Sequence, residues 1–383
     1  MALHFSPEEF AARRAKVEAE MAERGLDALL VFAQESMYWL TGFDSFGFCF
    51  FQCLVVRRDG KHVLVTRAPD LRQAQHTSNI ADIRVWSDRG SANPVDSLKD
   101  VLHELDLLGE TLGVEYNTHG LTAHNGRLLD TGLASFAKLT DASDLIPTLR
   151  TIKSPAEVTY AREAARLADN AYEAGLAEIR EGGDEGRILA AMQSAVFVGG
   201  GDYSGNEFII GSGPDALLCR SKSGRRSLSA SDQITLEFAG AYRRYHAALM
   251  RTVIIGDPTD RHLELHEAAV AALAEVEGAM RPGNTFGDVF EAHARVFDQR
   301  GLAAHRLNAC GYSLGARYAP SWMDAPMFYR DNKTPIEPNM TLFTHMILAD
   351  SDSGTAMTLG RTYLTGEGAP EPLSRLDLDL TVR

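Results

Sequence analysis

Cysteine is scarce in this sequence. The 383 residues contain four, Cys49, Cys53, Cys219 and Cys310, with no CxxC pair and no companion histidine at zinc spacing. A disulfide framework and a structural zinc module are therefore excluded, and idle thiols in a reducing compartment are expected. No apolar run approaches the length of a bilayer span. The N-terminal stretch MALHFSPEEF has neither a basic nor an apolar leader region, so no signal peptide is expected and the cytoplasm is the expected compartment. Positive charge is also short, 38 Lys and Arg against 52 Asp and Glu, for a formal net charge of −14. An acidic surface argues against nucleic acid and anionic membrane as partners and leaves a small-molecule substrate. There is no solenoid repeat and no low-complexity segment. The glycine-rich pieces at 199–201 and 211–213 lack a following helix at phosphate-loop spacing and read as turns.

What is present suffices for two domains. Hydrophobic residues make up 45% and charged residues 23%, the balance of a globular chain with a sizeable core. Ser6-Pro7-Glu8-Glu9 reads as a capped helix start, Phe10, Arg13, Val17 and Met21 mark the helix, and Gly25 ends it. A buried strand is expected over 28–32. The aromatic stretch 38–43 and a long apolar segment over 46–56 follow, and the chain turns at Asp59-Gly60 into a strand over 62–66. Short strands near Val85-Trp86, Leu112–Val114 and Ala137–Leu139 alternate with helical pieces, which makes residues 1–150 an α/β domain. Ser154-Pro155-Ala156-Glu157 is a second capping box and opens an alanine-rich helix, so a second domain is placed at 151–383. Helices are expected over 185–198, 262–280 and from Thr285 to Gly301. Strands are expected within 208–256 and over 340–348 and 357–364.

The stretch Asp232–Gly256, DQITLEFAGAYRRYHAALMRTVIIG, reads as a strand, a tight polar turn and a returning strand. It gathers Glu237, Tyr242, Arg243, Arg244, Tyr245, His246 and Arg251. Such groups are costly inside a protein unless they face water or a polar cavity, so the hairpin is the first candidate for chemistry. A buried salt bridge from Glu237 to Arg251 or Arg244 is the structural alternative. His262 and His266 lie one helical turn apart but lack a third ligand, and read as a solvated helix face. Asp350, Asp352 and Gly354 lack the bidentate acid of a calcium loop and read as a hairpin turn.

The order of these parts resembles the creatinase, prolidase and methionine aminopeptidase superfamily. Leu149–Glu157 resembles its entry to the catalytic domain, and Ser212-Gly213 the turn before its substrate histidine. Tyr245 with Arg251-Thr252 resembles the end of its metal-binding hairpin, and Pro338-Asn339-Met340 the Pro-Gly-Met before a metal-binding glutamate. The resemblance implies an α+β chain, with a pita-bread catalytic domain preceded by a smaller α/β creatinase-type N-terminal domain. Metal-dependent members use two aspartates, a histidine and two glutamates. The corresponding positions here are Glu237, Ala248, Tyr312, His345 and Leu359, with Gly360 beside the last. A dinuclear centre needs bridging carboxylates, so neither metal nor other cofactor is expected. The string from Glu237 to His246, and Gly311-Tyr312 with Gly315, Tyr318, Pro320 and Trp322, resemble the metal-free branch that includes ectoine hydrolase and creatinase. That branch carries a histidine where this chain has Arg220 and another where it has Ala319. Ser45-Phe46-Gly47-Phe48 resembles an aromatic segment that completes the partner's site, which implies a homodimer.

Hydrolysis of an amide, amidine or guanidinium bond without metal needs a base or nucleophile, a proton donor and a stabiliser of developing charge. Glu237 is the expected base or nucleophile. His345 and His246 are the expected proton donors, and Tyr312 and Tyr242 the hydrogen-bond donors to an oxyanion. Arg220 suits a substrate carboxylate, while Phe46, Phe48 and Trp322 would form apolar walls. The expected activity is that of a metal-independent hydrolase of a C–N bond in a small nitrogenous metabolite. The competing readings are a metal-dependent Xaa-Pro peptidase with altered ligands, a non-catalytic binding protein, and a lyase.

Overall fold

The computed structural model describes residues 3–90 and 92–383; Met1 and Ala2, at the start of the N-terminal stretch read above, and Ser91 lie outside them. The chain divides into two compact units that meet at Arg150 and Thr151.

In the first unit, α1 (Pro7–Glu23) starts where the capping pattern places it, with the Ser6 hydroxyl accepting from the Glu9 N–H. Then come β1 (Ala28–Val31), α2 (Gln34–Thr41), β2 (Cys53–Arg57), β3 (His62–Arg67), α3 (Ala68–Thr77), β4 (Asp82–Trp86), α4 (Pro94–Glu104), β5 (Thr111–Val114), α5 (Ala123–Leu133), β6 (Lys138–Asp141) and α6 (Leu145–Thr151). The strands form one mixed sheet in the order β4-β3-β2-β1-β5-β6. Alternation along β1 divides the core. Leu29 and Val31 pack with α1 and α2 through Val17, Met21, Met37 and Leu40, while Ala28 and Leu30 pack with α4 and α5 through Leu98, Leu102, Leu129 and Leu133. The aromatic stretch 38–43 is largely helix, because Met37, Trp39 and Leu40 bury against that core. The apolar run from 46 is interrupted by a 3₁₀ turn, Gly47–Cys49, before β2 begins.

The second unit contains α7 (Pro155–Glu178), α8 (Glu185–Val198), β7 (Ile209–Ser212), β8 (Asp232–Tyr242), β9 (Tyr245–Ile255), α9 (Asp260–Ala279), α10 (Phe286–Gln299), β10 (Ala309–Ser313), β11 (Asp324–Tyr329), β12 (Thr341–Asp350), β13 (Thr355–Leu364), β14 (Glu371–Pro372) and β15 (Thr381–Val382). Its main sheet runs β11-β10-β12-β13-β9-β8-β7. The helices cover one face. Phe238 stacks on Tyr172 of α7 at 6.4 Å, and Leu359 packs with Leu265, Ala269 and Leu273 of α9. The alanines of α7 have a steric purpose. A Cβ on Gly240 would come within 2.0 Å of the Ala164 carbonyl oxygen, so strand and helix meet backbone to backbone.

His262 is not on a solvated face. It is buried, with Nδ1 at the Thr259 hydroxyl (2.8 Å) and Nε2 at Gln233 Oε1 (3.1 Å), and so caps α9 and ties it to β8. The Asp350–Gly354 turn joins β12 to β13 as expected, with Asp350 paired to Thr355.

Candidate active site

Register decides what shares the helix-free face of the second sheet. Glu237 pairs with Met250, Met250 with Gly360, Gly360 with His345, and Phe343 with Tyr312. Directly paired residues point to the same side, so Glu237, Ala248, Gly360, His345 and Tyr312 line one surface across five neighbouring strands. Leu359 pairs with Arg251 and faces the helices. The expected last ligand position is thus corrected by one residue, from Leu359 to Gly360.

The residues present do not fit a metal pair. Among the described residues, no group of three or more His, Cys, Asp or Glu side chains could hold a metal ion. Gly360 leaves no room for a replacement ligand, since a Cβ there would meet the Thr344 carbonyl oxygen at 2.8 Å and the Phe343 ring at 3.0 Å. Of the five positions, only Glu237 carries a carboxylate.

Glu237 is buried, and that burial raises its pKa to about 7, opposed by the nearby Arg220 charge and by a hydrogen bond from Tyr312. The Tyr312 hydroxyl donates to Glu237 Oε1 at 3.4 Å and accepts from Trp322 Nε1 at 2.8 Å. Burial and the adjacent carboxylate hold the Tyr312 phenol well above its usual pKa, so it remains protonated. Trp322 is thus a donor that orients Tyr312, rather than the apolar wall expected. Its own backbone N–H is fixed by Asn206 Oδ1 at 3.2 Å. Asn206 carried no signal in the sequence, being a polar residue in a loop with no motif around it.

His345 stands 5.9 Å from Tyr312, ring to ring, with Nδ1 lacking a hydrogen-bond partner. Burial lowers its pKa to about 4, so it is neutral near pH 7 and offers a lone pair or an N–H, not an acidic imidazolium. His246 is engaged elsewhere. Its Nε2 accepts the Gly205 N–H at 2.9 Å, its Nδ1 faces the Gly315 carbonyl oxygen at 3.4 Å, and burial lowers its pKa to about 4. Both nitrogens are held by backbone, so His246 fixes the 204–206 loop instead of delivering protons. Tyr242 lies at the far end of β8, about 16 Å along the strand from Glu237, and packs edge-on against Tyr160 at 5.7 Å. It does not reach the site. Tyr245 is framework, donating to Glu157 Oε1 at 2.6 Å. The alternative salt bridges of Glu237 do not form, since Arg251 faces the helices and Arg244 occupies the β8–β9 turn. Arg220 is exposed, in the segment between β7 and β8.

A cleft of about 470 Å³ is lined by Gly205, Asn206, Phe208, Lys222 and Ala319 among others; it reaches the strand of Glu237 at Ala239, without Glu237, Tyr312 or His345 in its lining. Ala239 is the next residue after Glu237 on the same side of β8. The volume is that of a small-molecule site. Phe46 and Phe48 belong to the first unit, where Phe46 is 81% exposed.

Comparison with known proteins follows the same division. Residues 13–152 match the Creatinase/Prolidase N-terminal domain and residues 159–367 match metallopeptidase family M24. The chain belongs to family M24. Ectoine hydrolase of Halomonas elongata is 28% identical over 406 aligned residues, covering 100% of this chain and 99% of that protein. An uncharacterized hydrolase/peptidase of Sinorhizobium fredii, y4tL, is 27% identical over 99% of this chain and 97% of its own length. Among solved structures, a prolidase from Thermococcus sibiricus superposes with a TM-score of 0.88 at 19% identity, covering 98% of this chain and 99% of that one. A dipeptidase from Pyrococcus horikoshii superposes with a TM-score of 0.85 at 21% identity, over 97% and 100%. These structures show the shared pita-bread fold with its creatinase-type N-terminal domain. This chain is a hydrolase of that family, on the branch that includes ectoine hydrolase, and its donor set argues against the metal-dependent peptidase reading.

Proposed function

We propose that the chain hydrolyses a C–N bond of a small nitrogenous compound, a cyclic amidine, amidinium or amide, with Glu237 in place of a metal centre. The observation that carries this reading is a single buried carboxylate, its pKa raised to about 7, on a surface whose other former ligand positions are Ala248, Tyr312, His345 and Gly360. A group with that pKa takes a proton from water as the bond to carbon forms and returns it to the leaving nitrogen. One carboxyl then serves as base and acid in turn. Tyr312, oriented by Trp322, holds the reacting oxygen of Glu237. His345 accepts or donates one hydrogen bond to the substrate as a neutral ring. Arg220 at the rim meets a substrate carboxylate, and a cationic nitrogen of the same molecule lies against Glu237.

The two domains divide the work at 150/151: residues 151–383 hold the chemistry, and residues 1–150 supply an aromatic loop to the partner's site in a homodimer. Supporting the second role, Ser45 Oγ donates to Asp70 Oδ1 (2.7 Å) and accepts the Gly47 N–H (2.9 Å), which fixes the loop that carries the exposed Phe46. The free cysteines suit a reducing cytoplasm. Among the described residues, no helix is long and apolar enough to cross a membrane.

The test is a mass-spectrometric screen of ectoine, creatine and related amidines and amides with wild-type and Glu237→Gln protein. Product from the wild type and none from the variant supports the assignment. Equal turnover in both removes Glu237 from the chemistry, and bound ligand without product would favour a binding protein.

A further inference from the structure

The opposite face of the same sheet carries a cation that this chemistry does not use. Arg251 is buried, 3% exposed, yet it lines a cavity of about 350 Å³ together with Tyr172, Arg375, Asp377, Thr381 and Arg383. A guanidinium has five N–H donors. Nη1 of Arg251 donates to the carbonyl oxygens of Met250 (2.8 Å) and Gly360 (2.7 Å), and Nη2 donates to that of Asp377 (3.2 Å). Two donors are left over, and all three acceptors are neutral. Among the described residues no carboxylate forms an ion pair with Arg251.

The acids nearby are already engaged. Asp169 accepts from Ser374 Oγ (2.5 Å), the Arg375 N–H (3.0 Å) and Arg375 Nη1 (3.3 Å). Glu173, also in the lining, pairs with Arg375 Nη2 at 2.8 Å, and Asp377 Oδ1 accepts the Asp379 N–H at 3.2 Å. With Asp169 and Glu173 both taken up by Arg375, the guanidinium groups of Arg251 and Arg383 share the lining with one further side-chain carboxylate, Asp377. A buried guanidinium with only carbonyl partners is incompletely compensated. Consistently, burial lowers the pKa of Arg251 from its usual value.

We propose that this cavity binds a small oxyanion, a phosphate or carboxylate group, with the remaining Arg251 donors at its floor and Arg383 at its mouth. Arginine is suited to the task because its planar fork presents paired donors to such groups. The site lies on the helix side of the sheet and is separate from the Glu237 surface.

Inorganic phosphate is the probe, titrated calorimetrically into the intact protein at constant ionic strength against chloride, with acetate as a parallel run. We expect one saturable site per chain for phosphate, acetate or both, and the preference between them names the group. Arg383→Gln, a change at an exposed side chain, is expected to weaken binding about tenfold. Arg220→Gln is expected to leave it unchanged. Arg251→Lys keeps the charge and removes the fork, and should weaken binding as well; the Arg383 variant decides the matter if that protein does not fold. The proposal is overturned by the absence of saturable heat with either anion. It is equally overturned if affinity is lost in Arg220→Gln and kept in Arg383→Gln, which would place the anion at Arg220, outside this cavity.

Discussion

Two buried carboxylates, one in each unit, reach the same pKa for the same reason. Burial raises both Glu115 and Glu237 to about 7. Their surroundings differ. Glu115, directly after β5, accepts from the backbone N–H groups of Phe32 (3.0 Å) and Ala33 (2.9 Å) and from the Ser36 hydroxyl (2.7 Å). Phe32 and Ala33 lie between β1 and α2 and Ser36 in the first turn of α2, so Glu115 fastens that connection and has little capacity left for a ligand. Glu237 has one long hydrogen bond and the charge of Arg220 to oppose its burial, and a cleft reaches its strand two residues on, at Ala239. A raised pKa therefore marks burial, while a raised pKa with open acceptor positions marks a site for chemistry.

The sharpest way to break that contrast is to neutralise each carboxylate without changing its shape. Glu237→Gln should lower kcat by about 10³-fold, within the range of a lost general base, whereas Glu115→Gln should leave kcat unchanged. Steady-state rates on the substrate found by the metabolite screen decide this, and equal losses in both variants would dissolve the distinction. Truncation should reverse the ranking. Glu115→Ala leaves two backbone N–H groups and a hydroxyl without their acceptor and should lose about 3 kcal/mol in urea unfolding. Glu237→Ala removes one weak contact and should lose less.

Stability against pH should not separate the two. For each, the folded pKa of about 7 lies above the ordinary value of 4.5, so the native state binds the proton more tightly than the unfolded chain. That contribution is full below pH 4.5 and lost as pH rises through 7. Each glutamine variant should therefore gain on wild type between pH 5 and pH 8, by up to roughly 3 kcal/mol. A gain confined to Glu237→Gln would mean that the Glu115 donors compensate its charge fully.

Much of this was legible in the sequence. Capping residues located α1 and α7, and the hairpin at 232–256 was visible from its β-branched ends. The loss of acidic ligands at Ala248 and His345 and of the histidine at Tyr312 could be read once the family resemblance aligned these positions. What spacing could not supply was register. A shift of one residue turns a strand side chain to the other face, which is why Leu359 was expected where Gly360 stands. Nor does composition reveal which polar groups the backbone has already taken. His246 drew notice as a proton donor and Trp322 as an apolar wall, but the first is held by Gly205 and Gly315 and the second donates to Tyr312. Glu115 and Asn206 went unremarked because their partners are distant in sequence.

The smallest expected effect tests whether the Tyr312 contact, weak as it is, distinguishes Glu237 from Glu115. The Tyr312 hydroxyl stabilises the Glu237 carboxylate and so lowers its pKa, against the larger upward push of burial. Tyr312→Phe removes that donor and leaves the burial, so the pKa should rise further. If Glu237 acts as a base, kcat/KM in wild type climbs with pH through about 7. The climbing limb should then move to higher pH in Tyr312→Phe, by about half a unit, while the plateau rate falls only modestly. Trp322→Phe deprives Tyr312 of its orienting N–H but keeps the phenol, so its limb should move in the same direction by less. An unmoved limb in both variants would leave Glu237 governed by burial and Arg220 alone, and Tyr312 as packing.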